Sequence, residues 1–113
     1  MTTILEEAQS LVHGDRGETY GHPMSDFTRT AAMWSAILGT KVEPEQVGLC
    51  MIAVKISRQC NKHKRDNLVD LAGYAETIQM VMEKKESEKN VRHLKSTDVV
   101  LNHLRLLRNS GFI

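Results

Sequence analysis

A chain of 113 residues with 41% apolar side chains and a mean hydropathy of −0.34 is one soluble globular domain, too apolar for a disordered segment and too short for two cores. Its 15 Lys and Arg against 14 Asp and Glu leave a net charge of +1, which removes the positive field of a duplex-DNA binder and disfavours nucleic acid as a partner. Only 2 prolines and few aromatics, among many Leu, Met, Ala, Glu and Lys, predict an all-α chain. Cys50 and Cys60 have neither C-x-x-C spacing nor neighbouring ligands, so they read as reduced, buried thiols of a cytoplasmic protein. The N-terminus lacks the pattern of a secretory leader and no apolar run reaches membrane-spanning length, so no membrane partner is expected.

Thr3-Ile-Leu-Glu6 forms a capping box for a first helix, with Ile4, Ala8, Leu11 and Val12 on one face and Gly14 as its stop. Residues 14–23 hold three glycines, the composition of a loop with positive φ angles or of a close approach to another group. Ser25 caps a second helix whose stripe runs Phe27, Ala31, Trp34 and Leu38 and stops at Gly39. Pro44 fits the first turn of a third helix reaching about residue 60. Apolar side chains cover most of that helix's circumference, which predicts the central, most buried element.

Asp66 or Asn67 starts a fourth helix with Leu68, Leu71, Ala72, Ala75, Ile78 and Met82 on one face. Residues 83–95 are charged and either prolong this helix into solvent, the favoured reading, or form a linker. Ser96-Thr-Asp98 caps a short final helix carrying Val99, Val100, Leu101, Leu104 and Leu107 and ending at Gly111. The architecture expected is a four- to five-helix bundle, with a helical core domain over 1–82 and a charged spacer plus C-terminal amphipathic helix over 83–113. A lone amphipathic helix of about a dozen residues is marginal in water. A long charged spacer suits an arm that docks on a neighbouring subunit, so a homo-oligomer is expected.

The chemistry concentrates at the elbow between the third and fourth helices. Lys55 and Arg58 lie about one turn apart on one helix, and Asp66 and Asp70 on the other, so two cations and two carboxylates face a common region. One reading pairs them as part-buried salt bridges that fix register and add little net stability. The other uses them with their neighbours. Arg58, Lys55, Lys64, the amides of Asn61 and Asn67, and a helix N-terminus make a phosphate-binding mouth, to which Arg16 adds a cation. Tyr20, His22, Trp34 and Tyr74 offer flat or hydrogen-bonding surfaces for a base or ribose. A nucleotide is the ligand class that uses all of these.

The pattern Gly14-Asp-Arg-x3-Tyr-Gly-His-Pro-x3-Phe-x-Arg29, followed by Trp34-Ser-Ala-Ile-Leu-Gly39, resembles a family of small phage-encoded helical proteins of unassigned function. Lys55-Ile-Ser-Arg58 and Lys64-Arg-Asp66-Asn-x2-Asp70-x-Ala-Gly-Tyr74 extend the resemblance over roughly residues 4 to 80. It implies a protein at work in the cytoplasm of an infected bacterium. The helix with Asp66, Asp70 and Tyr74 is also similar to the acidic second helix of MazG-like nucleotide pyrophosphohydrolases, where an E-x-x-E and a later E-x-x-D segment hold magnesium. This chain departs from that pattern: Asp66 and Asp70 are four apart, and Lys55 and Arg58 stand where paired glutamates belong. Asp66, Asp70 and Glu6 are the minimal carboxylate set such an enzyme could draw on, since magnesium at a phosphate site needs at least one or two carboxylates.

Two functions fit these residues. The first is a non-enzymatic, cofactor-free nucleotide binder, with Arg16, Lys55, Arg58 and Lys64 on phosphates, Tyr20, Trp34 or Tyr74 stacked on a base, and Asp66 and Asp70 orienting cations or accepting ribose hydroxyls. For a phage protein the resemblance implies a counter-defence sponge for cyclic-nucleotide or ADP-ribose-derived immune signals. The alternative is a magnesium-dependent nucleoside triphosphate pyrophosphohydrolase with Asp66 and Asp70 as metal ligands.

Overall fold

The computed structural model describes residues 1–109, which are all-α with no strand among them; the helix end expected at Gly111 lies outside the described residues. The elements are α1 (Ile4–Ser10), a π-helical turn (Leu11–Asp15), α2 (Arg16–Tyr20), α3 (Pro23–Leu38), α4 (Pro44–Asn61) and α5 (Arg65–Asn109). The chain divides into two units, 1–82 and the residues from Glu83 onward.

α1 starts as its sequence dictates. Thr3 Oγ1 accepts the Glu6 N–H at 3.1 Å and donates to Glu6 Oε1 at 2.9 Å. Gly14, however, does not stop it. The chain winds through the π turn directly into α2, and the expected loop is reduced to Gly21 and His22, where Gly21 alone takes a positive φ, of 75°. Glycine inside a helix costs about 1 kcal/mol relative to alanine but does not forbid it, and no proline stands between residues 4 and 22 to break the winding. The extra residue in the π turn changes the angular register of the turns after it. Val12 thereby packs inward, its Cγ2 3.6 Å from where a Cβ on Gly73 would stand, while Arg16 reaches the Tyr74 ring.

α3 is capped by His22, not Ser25: its Nδ1 accepts the Met24 N–H at 3.0 Å. Pro23 decides this, because its fixed φ and missing N–H suit the first helical position, which leaves the cap to the residue before it. Gly39 ends α3 in the left-handed conformation at φ 69°. Ser35 Oγ donates to the Ala31 carbonyl at 2.7 Å and accepts the Val42 N–H at 2.8 Å, pinning the connection to α4. Pro44 then opens α4 at its first turn.

The core is formed by Phe27, Ala31, Val47 and Val81, with Met24, Trp34, Val42 and Tyr74 packed against it. α4 is not the most buried element. Only Pro44, Val47 and Gly48 are buried along it, while Leu49 and Ile56 are 55% and 49% exposed. It meets α3 and α5 along one stripe, and the rest of its apolar circumference faces outward. Leu38 is likewise exposed at the end of the α3 stripe, and Cys50 and Cys60, expected to be buried, are free and exposed.

The buried face of α5 also differs from the apolar stripe expected. The inward row is Asn67, Val69, Gly73, Thr77 and Val81, whereas Ala75 and Met82 are exposed. Small side chains let backbones approach closely, and that gain in packing outweighs the greater hydrophobicity of the neighbouring row. Thr77 satisfies its hydroxyl by donating to the Tyr74 carbonyl at 3.0 Å. α1 lies alongside this row: Arg65 pairs with Glu7 and donates to the Thr2 carbonyl at 2.7 Å, and His13 meets Glu76 at 3.3 Å.

α5 continues through residues 83–95, as favoured from the sequence, but Ser96 caps no new helix: Thr97 Oγ1 donates to the His93 carbonyl at 3.0 Å as an interior residue does. Without glycine or proline in this stretch, nothing ends the helix. Val99, Val100, Leu101 and Leu104 are exposed in it.

Gly48 marks the tightest helix contact. A Cβ there would stand 2.4 Å from Ile78 Cγ1 and 3.2 Å from Phe27 Cε2. Gly48→Ala is expected to destabilise the fold by up to about 2 kcal/mol, overpacking of about 1–3 kcal/mol outweighing the gain of about 1 kcal/mol in helix propensity. Urea unfolding monitored by circular dichroism checks this; an unchanged or raised midpoint would show that Ile78 yields freely.

Candidate functional site: two cavities along one helical seam

α4 and α5 run antiparallel, and three contacts fix their register: Gly48 against Ile78, Lys55 against Asp70, and Gln59 against Asn67. Met51 is one turn before Lys55 and Tyr74 one turn after Asp70, so the Met51–Tyr74 level adjoins the Lys55–Asp70 level. This seam carries a cavity on either side of the Lys55–Asp70 pair.

The cavity toward the core has a volume of about 240 Å³ and is lined by Arg16, Tyr20, Asp26, Phe27, Thr30, Trp34, Val47, Met51 and Tyr74. The Arg16 guanidinium stands 5.4 Å from the Tyr74 ring centroid, within cation–π range. The π turn is what makes this possible, since Arg16 and Tyr20 are successive turns of α2 aimed along the face it sets. Asp26, Thr30 and Trp34 form an i, i+4, i+8 row on α3 that presents a carboxylate, a hydroxyl and an indole in order.

The cavity at the elbow is larger, about 560 Å³, and is lined by Lys55, Ser57, Arg58, Asn61, Lys62, Lys64, Asp66, Asn67 and Asp70. Four cations there face two carboxylates. Lys55 Nζ binds Asp70 Oδ2 at 2.6 Å, and both side chains are largely buried at 15% and 21% exposure. Arg58, Lys62 and Lys64 form no ion pair with any carboxylate among the described residues, and Asp66 likewise has none. The elbow itself is held by Gln59, whose Oε1 accepts from the Lys64 N–H at 3.2 Å and from Asn67 Nδ2 at 3.3 Å, and whose amide meets His63 at 2.7 Å.

The residues expected to form one site are therefore divided. Lys55, Arg58, Asn61, Lys64, Asp66, Asn67 and Asp70 meet at the elbow; Arg16, Tyr20, Trp34 and Tyr74 meet in the aromatic cavity. His22 belongs to neither, because its ring is committed to the α3 cap. Asn67 is buried and donates to Gln59, so its amide serves the elbow first. Half of the ion-pair reading holds: Lys55 is matched with Asp70, while Arg58 and Asp66 stay apart beside an open cavity. Asp26, Thr30, Ser57 and Lys62 line the cavities without having been singled out in the sequence. The i+4 spacing of Asp26 and Thr30 before Trp34 was the available signal.

Glu6 is engaged with Thr3 at the start of α1, and among the described residues no three His, Cys, Asp or Glu side chains converge as a metal site would require. The minimal carboxylate set of Glu6, Asp66 and Asp70 is thus not brought together. The Lys55–Asp70 pair, being largely buried, gives a direct test. Lys55→Met and Asp70→Asn are each expected to cost about 1–3 kcal/mol by stranding the partner's charge, and the double variant less than the sum. Chemical denaturation of all four proteins measures the coupling; strict additivity would mean the pair contributes nothing jointly.

The chain is 39% identical over 82 residues to the Gene 55 protein of Mycobacterium phage D29, an alignment covering 72% of this chain and 54% of that protein. It is 32% identical over 102 residues to the Gene 55 protein of Mycobacterium phage L5, covering 88% of this chain and 65% of that protein. The chain thus spans only about half to two-thirds of the length of these curated relatives. No solved structure matches it, and no helix among the described residues is long and apolar enough to cross a membrane. Residues 3–82, which contain both cavities, match the family described as a domain of unknown function, DUF6378, and the chain belongs to that family.

Proposed function

We propose that this protein binds a nucleotide-derived small molecule without turning it over, its base held in the aromatic cavity and its phosphates at the elbow. The observation that supports this most directly is the adjacency of the two cavities on one seam, one lined by Tyr20, Trp34 and Tyr74 and the other by unpaired Arg58, Lys62 and Lys64. Aromatic faces take a base by stacking, and a guanidinium with ammonium groups takes phosphate oxygens by charge-assisted hydrogen bonds. Lys55 stands between them and can turn its ammonium from Asp70 toward a phosphate. The N-terminal turn of α5 beside Lys64 adds N–H donors of the right polarity.

Hydrolysis through magnesium finds less support. Asp70 is already neutralised by Lys55, and Arg58, Lys62 and Lys64 would repel a divalent cation entering beside Asp66. Similarity to mycobacteriophage proteins supports a role during infection, and a non-hydrolysing binder there serves as a sponge for cyclic-nucleotide or ADP-ribose-derived immune signals. We infer in addition that copies associate through the second unit, since Val100, Leu101 and Leu104 present an apolar side that a lone helix leaves in water.

A thermal-shift series with EDTA present, against adenosine and guanosine mono-, di- and triphosphates, their cyclic monophosphates and ADP-ribose, tests the binding. A ligand that prefers the folded state raises the melting temperature by mass action. Arg58→Ala is expected to weaken the active ligand roughly 10- to 100-fold, the worth of one charge-assisted contact, and, because Arg58 is exposed and unpaired, to leave the ligand-free melting temperature unchanged. A flat response to the whole series, or pyrophosphate release from triphosphates with magnesium, would overturn the reading. Truncation after residue 95 is expected to lower the mass seen by light scattering; an unchanged mass would remove the second unit from assembly.

A further inference from the structure

Asp26 has no role in holding the fold together through a specific contact. It sits in the first turn of α3, where a carboxylate gains modestly from the helix dipole. Yet its side chain forms no ion pair or hydrogen bond among the described residues, although it is partly buried. It lines the aromatic cavity together with Arg16, Tyr20, Trp34 and Tyr74, and also the small adjoining space under Gly17, Pro23 and Thr77. Arg16, the cation sharing both linings, is turned to the Tyr74 ring and not to Asp26. The half-buried Asp26 carboxylate is thus free to exchange water for donors on a molecule in the cavity.

Resting on the binding reading of the two cavities, we propose that Asp26 selects a guanine base, which narrows the proposed ligands to guanine-bearing nucleotides and sets aside those derived from ADP-ribose, whose base is adenine. An ionised carboxylate accepts only, and its two oxygens match two adjacent donors. Guanine alone among the common bases presents such a pair on its Watson–Crick edge, N1–H beside the N2 amino group. Adenine and cytosine each place a ring-nitrogen lone pair next to their amino group, which would face the carboxylate unfavourably. Uracil flanks its single N–H with two carbonyls. Thr30, one turn along α3, can donate its hydroxyl to guanine O6 or N7, while Trp34, Tyr20 and Tyr74 cover the ring faces.

Binding of guanosine 5′-diphosphate and adenosine 5′-diphosphate to the full chain, measured by calorimetry in EDTA, separates this inference from the reading it rests on. Guanosine diphosphate is expected to bind about tenfold or more tightly than adenosine diphosphate. Asp26→Asn, which replaces one acceptor by a donor, is expected to lower guanosine diphosphate affinity by about tenfold and to bring the two ligands near parity, with the ligand-free melting temperature nearly unchanged. Asp26→Glu should retain the order of preference. Equal affinity of the native chain for both, tighter adenosine diphosphate, or an Asp26→Asn loss equal for both ligands overturns guanine selection and leaves nucleotide binding standing. No binding of either ligand, with nothing bound from the wider series, overturns both.

Discussion

Everything at the two cavities depends on how closely α4 and α5 approach at Gly48 and Ile78. There is no room for a methyl group at that point, so the helices meet at one place with one register. From it the remaining levels are set by helical rise alone: Met51 by Tyr74, Lys55 by Asp70, Gln59 by Asn67. A slip of one residue would rotate each helix by about 100° relative to its partner and take Lys55 out of reach of Asp70. The charged pair is therefore better understood as a consequence of the glycine contact than as its cause, since a part-buried ion pair adds little net stability once its desolvation is counted.

A second close approach, at Gly73, bears on why a row of smaller side chains on α5 faces inward. A row containing Gly73 and Thr77 lets the π turn come close, with Val12 against Gly73, and the resulting dispersion contacts offset the smaller side chains of that row. Periodic hydrophobicity measures transfer from water and carries no information about how near two backbones can come. That is why the inward row of α5 is offset from the apolar stripe, whose Leu68, Leu71, Ala72 and Ile78 are still half-buried, and why the burial of α4 was overestimated. The caps were legible because they are local: Thr3, Gly39 and Pro44 act through their own backbone and its nearest neighbours. Ser25 failed for the same kind of reason, because Pro23 two residues earlier had already fixed the start of α3.

The elbow of the site was legible and its division was not. Lys55 with Arg58 and Asp66 with Asp70 are spaced so that their helix forces them onto one side, and the structure brings all four to one cavity. Arg16 and Tyr20 were read as parts of a glycine loop, whereas it is the π turn that carries them to Tyr74 and Trp34. A π turn leaves no mark in hydrophobic periodicity beyond a phase change, and two helical glycines obscured even that. Asp26 went unremarked because a carboxylate in a first helical turn already has an ordinary explanation in the helix dipole.

These placements bear on what kind of ligand the seam can hold. An anion that used only the elbow would meet three unpaired cations, Arg58, Lys62 and Lys64, whose side chains are exposed and screened by water, so its gain there is small. A flat apolar molecule that used only the inner cavity would leave Asp26 and Arg16 desolvated without new partners, at a cost comparable to what stacking returns. In the binding mode proposed above, a ligand with both a donor-bearing ring and an anionic tail would avoid each penalty, and it would cross the Lys55–Asp70 level to do so. Replacing the carboxylate of Asp70 by a phosphate oxygen keeps the Lys55 ammonium paired throughout, so the crossing exchanges one anion for another and strands no cation. The cost falls on Asp70, whose carboxylate must then be satisfied by solvent entering the elbow cavity that it lines.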